Sequence, residues 1–111
     1  MADVRMTLPT QRVLRAFLED VGVEHYGLEI ADLAGLATGT IHPILARLEG
    51  AGWLESRWEE IDPRTEGRAA RRYYRLTATG VEPARDALAR AYRPPTRRAF
   101  SPSPSPRPAE S

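Results

Sequence analysis

Cysteine is absent from this 111-residue chain, and so is lysine. The first absence excludes disulfides, thiolate zinc sites and thiol redox sensing. The second leaves all 16 basic positions to arginine. No apolar run approaches the roughly 18 residues of a membrane span. The N-terminus lacks the apolar region of a secretory signal, so the expected compartment is the cytoplasm. Histidine occurs only as His25 and His42, on different elements. Two histidines without cysteine do not make a metal site. No acid–base constellation and no phosphate-cradling glycine motif accompanies them. The expectation is a protein that is not an enzyme and carries no cofactor or metal.

What is present suits one small soluble domain with a modest core: 41% hydrophobic and 28% charged residues. The net charge is only +1, yet the charges are segregated. Residues 16–46 hold Glu19, Asp20, Glu24, Glu29 and Asp32 and no arginine, a net of −5. Residues 64–75 hold Arg64, Arg68, Arg71, Arg72 and Arg75 against Glu66, a net of +4. A near-neutral total therefore hides a basic patch. Such a run is either a solvated face or, beside a hairpin turn, a phosphate-contacting surface.

After a lead-in over residues 1–9, Pro9-Thr10 gives a helix start. Val13, Leu14, Phe17, Leu18 and Val21 form one apolar stripe, with Arg12, Arg15 and Glu19 opposite and an end near Gly22. Tyr26 to Ala34 reads as a shorter second helix with Ile30, Leu33 and Ala34 inward, closed by Gly35. The short turn that follows makes a helix-turn-helix pattern. Thr38, or Thr40, is the expected cap of a third helix. Its buried stripe is Ile41, Ile44, Leu45 and Leu48. Gly39, Pro43, Ala46 and Gly50 point the other way, flanked by Thr40 and Arg47 on one side and His42 on the other. Such a small-residue face can lie close against another surface, and a DNA major groove just admits a helix.

Gly50 and Gly52 release the chain into a strand over Trp53–Glu60, with Leu54 and Trp58 on one face. Residues 61–70 read as a loop. Residues 71–76 return as a second strand, with Tyr74 and Leu76 on one face and Arg71, Tyr73 and Arg75 on the other. The four aromatics Trp53, Trp58, Tyr73 and Tyr74 are expected in the core. Thr77 can cap a fourth helix with apolar positions Val81, Ala84, Leu88 and Ala91. Pro83 predicts either a kink or a start at Pro83, with the helix running to Tyr92. Pro94-Pro95 stops it. Residues 94–111 are low-complexity, rich in serine and proline, and are expected to be disordered. The expected domain therefore covers residues 10–93. Its class is α+β, mainly α: three helices, a two-stranded wing and a C-terminal helix.

Taken together, Tyr26-Gly27, Glu29-Ile30, GTIHPILARLE, GWLESRWEE and RRYYRLTATG resemble the PadR family of bacterial transcriptional regulators, over roughly residues 10–80. The resemblance implies a winged helix-turn-helix, a homodimer and a palindromic double-stranded DNA operator. In the family the third helix enters the major groove, the wing approaches the backbone or minor groove, and the fourth helix supplies dimer contacts. Two departures stand out. His42 occupies a position where the family usually has tyrosine, and the fourth helix is short, with Pro83 inside it.

The candidate DNA-contacting residues are Thr38, Gly39, Thr40, His42, Arg47, Arg68, Arg71 and Arg72. Arg47 could instead pair with a neighbouring glutamate, and one of Arg68, Arg71 and Arg72 with Glu55, Glu59 or Glu60 across the hairpin. The candidate dimer residues are Val13, Phe17, Ala84, Leu88, Ala91 and Tyr92. The leading expectation is a DNA-binding regulator that acts as a repressor. The alternative is a winged-helix protein-interaction module, which the acidic stretch and Pro-rich tail would suit. A MarR- or ArsR-type regulator is a third option; the lack of cysteine and the short chain argue against it. No ligand pocket is legible, so no inducer is named.

Overall fold

Proline at the start of a helix gives up a donor that would have had no partner there, and its fixed φ suits the first turn. In the computed structural model, which describes residues 4–91, Pro9 stands in that position. Helix α1 spans Leu8–Leu18, and the Thr7 hydroxyl caps it by accepting the Thr10 N–H at 3.3 Å. The lead-in is not wholly loose, since Val4 and Met6 pack against the core. Val13, Leu14 and Phe17 are buried as the stripe requires, but Val21 is exposed. The helix ends before Val21, so the 3.6-residue period no longer governs where that side chain points.

A short strand, β1 (His25–Tyr26), precedes helix α2 (Gly27–Ala34). The Glu29 carboxylate reaches back to accept the Tyr26 N–H at 3.4 Å. Gly35, at φ 69°, closes α2 in the left-handed conformation that glycine adopts without steric cost. Ile30, Ala31 and Ala34 are buried, whereas Leu33 is 54% exposed. The inward face is thus turned toward Ala31 and away from Leu33, which corrects the expected orientation.

Helix α3 spans Thr38–Gly50. Ile41, Ile44, Leu45 and Leu48 are all buried, as the sequence requires. Full burial of one such side chain contributes about 1.5–3 kcal/mol. Neither threonine caps the helix: the N-cap is Ala37, with no side-chain hydrogen bond, and Thr38 is the first helical residue. Pro43 lies within the helix on the exposed face.

Strands β2 (Leu54–Trp58) and β3 (Arg72–Leu76) pair antiparallel, with Leu54 opposite Leu76 and Trp58 opposite Arg72. The sheet order is β1-β3-β2, one strand more than expected, because β1 takes the free edge of β3. One face, carrying Leu54 and Leu76, covers the helices. Trp58 lies on the same side but past the core, and it is 59% exposed, contrary to the expected burial. The connecting loop contains a one-turn helix, α4 (Pro63–Glu66), capped by Asp62.

Thr77 does not cap the last helix. Its hydroxyl donates to the Gly52 carbonyl at 2.8 Å and so ties the end of β3 to the α3–β2 turn. Gly80 sits so close to this turn that a Cβ there would stand 2.5 Å from the Trp53 carbonyl oxygen. Helix α5 (Val81–Ala91) begins two residues before Pro83. Proline is tolerated there because first-turn N–H groups lack intrahelical partners. Tyr92, Pro94-Pro95 and the 94–111 tail lie outside the described residues. No helix among the described residues is long and apolar enough to cross a membrane. The architecture is α+β, mainly helical: a winged helix-turn-helix with a small three-stranded sheet.

Candidate nucleic-acid interface

Because Ile41, Ile44, Leu45 and Leu48 must face the core, the opposite side of α3 is left in solvent. Thr38, Gly39, Thr40, His42, Pro43, Ala46 and Arg47 are all exposed. The His42 ring lies over the start of α2, where a Cβ on Gly27 would be 3.4 Å from Cε1. Among the described residues, no carboxylate lies within ion-pair distance of Arg47.

The wing arginines divide into two groups. Arg68 makes a bidentate pair with Glu59, at 2.8 and 2.9 Å. That pair, helped by the Arg71 N–H at 3.1 Å, holds the Glu59 carboxyl down from 4.5 to about 2. Arg75 pairs with Glu55 at 2.7 Å. Arg72 donates to the Ser56 hydroxyl at 3.1 Å and lies 3.6 Å from Glu49. Arg57, on β2, grips Glu24 through two 2.7 Å hydrogen bonds and lowers that carboxyl too. By contrast, Arg64 and Arg71 have no carboxylate partner among the described residues. The Arg71 guanidinium instead stacks 4.3 Å above the Tyr26 ring, where the π face stabilises a cation.

An open cleft of about 380 Å³ separates the wing from the helix-turn-helix. Thr38 and His42 line it from α3, Tyr26, Gly27 and Leu28 from the start of α2, and Trp58, Arg71, Arg72 and Tyr74 from the wing. Of the sequence candidates, the structure gathers Thr38, His42, Arg71 and Arg72 around this cleft. Gly39, Thr40 and Arg47 continue along the exposed side of α3, and Arg68 stands apart on Glu59. Leu28, 65% exposed, and Trp58 were missed. Leu28 was recoverable from the helical wheel, since it lies opposite Ile30. Ser56 and Glu49 were missed too, because their partnership crosses from helix to wing and depends on a register no local pattern reveals.

The dimer candidates fare unevenly. Val13, Phe17 and Ala84 are 0–1% exposed within the chain's own core and leave no surface for a second copy. Leu88 and Ala91 are half-buried. Ala91 lines an open groove of about 710 Å³ with Met6, Trp53, Pro83, Ala87 and Arg90. His25 is buried edge-on to Phe17, 3.3 Å from Glu29 but without an aligned hydrogen bond.

A model of the transcriptional regulator PadR-like family matches residues 21–86. No curated protein matches the chain. Among solved structures, a possible transcriptional regulator from Methanosarcina mazei Go1 superposes with a TM-score of 0.59 at 13% identity, over 78% of this chain and 69% of that one. A zinc-responsive MarR family member of Lactococcus lactis gives 0.57 at 17% identity, over 79% and 55%. A MarR family transcriptional regulator of Silicibacter pomeroyi DSS-3 gives 0.53 at 20% identity, over 77% and 54%. At these identities the likeness is one of fold. The chain spans little more than half the length of the two MarR-type chains.

Proposed function

The chain belongs to the transcriptional regulator PadR-like family, a family of regulators and not of enzymes, and from that premise we propose that it represses transcription by binding a palindromic DNA operator as a homodimer. The observation that carries the reading is the outer side of α3. Seven exposed residues, none bulkier than His42 or Arg47, stand beside a cleft whose opposite wall holds the uncompensated Arg71. Thr38, Gly39, Thr40 and His42 approach base edges in the major groove, while Arg47 and Arg71 take backbone phosphates. Arg68, neutralised by Glu59, contributes less than its charge implies.

Two recognition helices related by a two-fold axis reach half-sites about 34 Å apart, one turn of duplex. Helix α5 offers Leu88, Ala91 and the adjoining groove to the second copy. Sedimentation equilibrium with and without operator tests this; one protomer per operator at high protein concentration overturns it.

The test of DNA binding starts from the sequence upstream of the gene, searched for an inverted repeat and used in gel shifts across a salt series. Log affinity is expected to fall linearly with log salt, by about 0.9 for each phosphate neutralised. A flat response, or no shift, overturns the reading. It would favour a protein-interaction module, for which Glu19, Asp20 and Asp32 supply an exposed acidic surface.

A further inference from the structure

Three residues connect α3 to the wing, and of them only Arg72 is among the sequence's DNA-contacting candidates. Glu49 is the penultimate residue of α3. Its carboxylate accepts the Ser56 hydroxyl at 2.6 Å. Ser56 in turn accepts from Arg72 Nε at 3.1 Å, and Arg72 Nη2 lies 3.6 Å from the same Glu49 oxygen. The guanidinium is also flanked by aromatic rings, with Trp58 at 5.3 Å and Tyr74 at 6.0 Å. Ser56 and Arg72 thus point from the two wing strands toward the end of the recognition helix.

We propose that Glu49, Ser56 and Arg72 form a strut that sets the angle of the wing to α3, and that Arg72 is a positioning residue rather than a phosphate contact. The proposal rests on the DNA-binding reading for its functional consequence. Between α3 and β2 the backbone passes through Ala51, Gly52 and Trp53, with Gly52 at φ 82°. Backbone bonds close this turn, Gly52 N–H to the Glu49 carbonyl at 2.9 Å and Trp53 N–H to the Leu48 carbonyl at 3.0 Å, and Thr77 ties β3 to its base through its N–H to the Trp53 carbonyl at 3.0 Å and its hydroxyl to the Gly52 carbonyl at 2.8 Å. The strut spans the angle between α3 and the wing beyond that turn, where these bonds do not reach. It also holds the cleft wall in place, because Arg72 lies between the exposed Trp58 and the half-buried Tyr74. An arginine already bound to a hydroxyl and a carboxylate has its charge compensated, so a phosphate gains little from it.

Charge alone and the strut give opposite predictions for one substitution. Glu49→Gln removes a negative charge at the end of α3, which by electrostatics alone tightens binding to a polyanion. If the strut holds the wing, the same change weakens it. The probe is a duplex selected by the wild-type protein from a random 30-base-pair pool. Glu49→Gln, Ser56→Ala and Arg72→Gln are each expected to lower affinity for that duplex roughly tenfold, the size of one charge-assisted hydrogen bond. Affinity for unselected DNA should change less, and the slope of log affinity against log salt should stay as in wild type. The double variant Glu49→Gln/Arg72→Gln should lose little more than either single one. Without DNA, amide exchange in β2 and β3 should speed up in all three variants, while α1 and α2 stay protected.

The proposal is overturned if Arg72→Gln lowers the salt slope by about one, as a lost phosphate contact does, or if Glu49→Gln tightens binding. Unchanged wing exchange overturns it as well. If the wild type selects no duplex, the DNA-binding reading fails, and exchange alone then decides whether the strut exists.

Discussion

The outer side of α3 and the wing are both exposed, and they differ in what their charges do. The α3 face carries one cation, Arg47, with no carboxylate partner among the described residues. The wing carries six arginines, but Arg57, Arg68, Arg72 and Arg75 are matched to Glu24, Glu59, Glu49 and Glu55. Charge counted along a sequence is therefore not charge available to a ligand. The wing's arginines are mostly engaged in ion pairs, and α3 offers an exposed surface of a few polar groups. Arg64 and Arg71 are the exceptions among the described residues, and a ring rather than a carboxylate holds Arg71.

The largest expected contrast concerns folding. Leu48→Ala on the inner side of α3 should cost about 2–5 kcal/mol by leaving a cavity. Trp58→Ala on the wing, more than half exposed, should cost about 1 kcal/mol or less. Urea denaturation of both variants checks this; equal losses would mean that the wing is as integral to the core as α3.

Next comes sequence reading. His42→Ala or Thr40→Ala should alter operator preference, costing about 1–3 kcal/mol against the best site if a base contact is lost. Competition between the operator and single-base variants measures it. Unchanged affinity and preference would reduce the α3 face to shape alone.

A smaller effect separates free from paired arginines. Arg71→Ala should weaken binding to all sequences alike and reduce the salt slope by about one, whereas Arg75→Ala should leave the slope unchanged. Equal slopes for the two variants would show that pairing in the free protein does not decide which arginine meets DNA.

The smallest effect is on acid stability. The folded Glu59 carboxyl is lowered from 4.5 to about 2. It therefore contributes stability that is complete above the ordinary carboxylate range and is lost as the pH falls toward 2. Between those values wild type should lose thermal stability more steeply than Glu59→Gln. Parallel melting curves across pH 2–5 would place the Arg68–Glu59 pair outside the folding balance.

How much the sequence discloses varies by element. The α3 core stripe was legible because four aliphatic residues at helical spacing leave only one way to bury them. The hairpin was legible from glycine breaks and alternation. Strand β1 was not, since two residues carry no period and pair only because β3 has an open edge. Val21, Leu33 and Trp58 were expected to face inward, but a helix end, a rotated helix and a strand outrunning the core put them in solvent. The Thr38 and Thr77 caps failed for a related reason: a hydroxyl caps only if the backbone before it turns extended at that residue, and a neighbouring carbonyl can claim it first.

By itself, then, the amino-acid order determined which faces of the helices are apolar, where the wing lies and that α3 presents small polar residues to solvent. Those outcomes follow from burial and periodicity, which act over a few residues. Only the tertiary structure decided which arginines are neutralised and which are free, and that Glu49 reaches Ser56 and Arg72. Ion pairs depend on distance in space, and strand register and helix rotation set that distance. Neither leaves a mark in the spacing of the residues that meet.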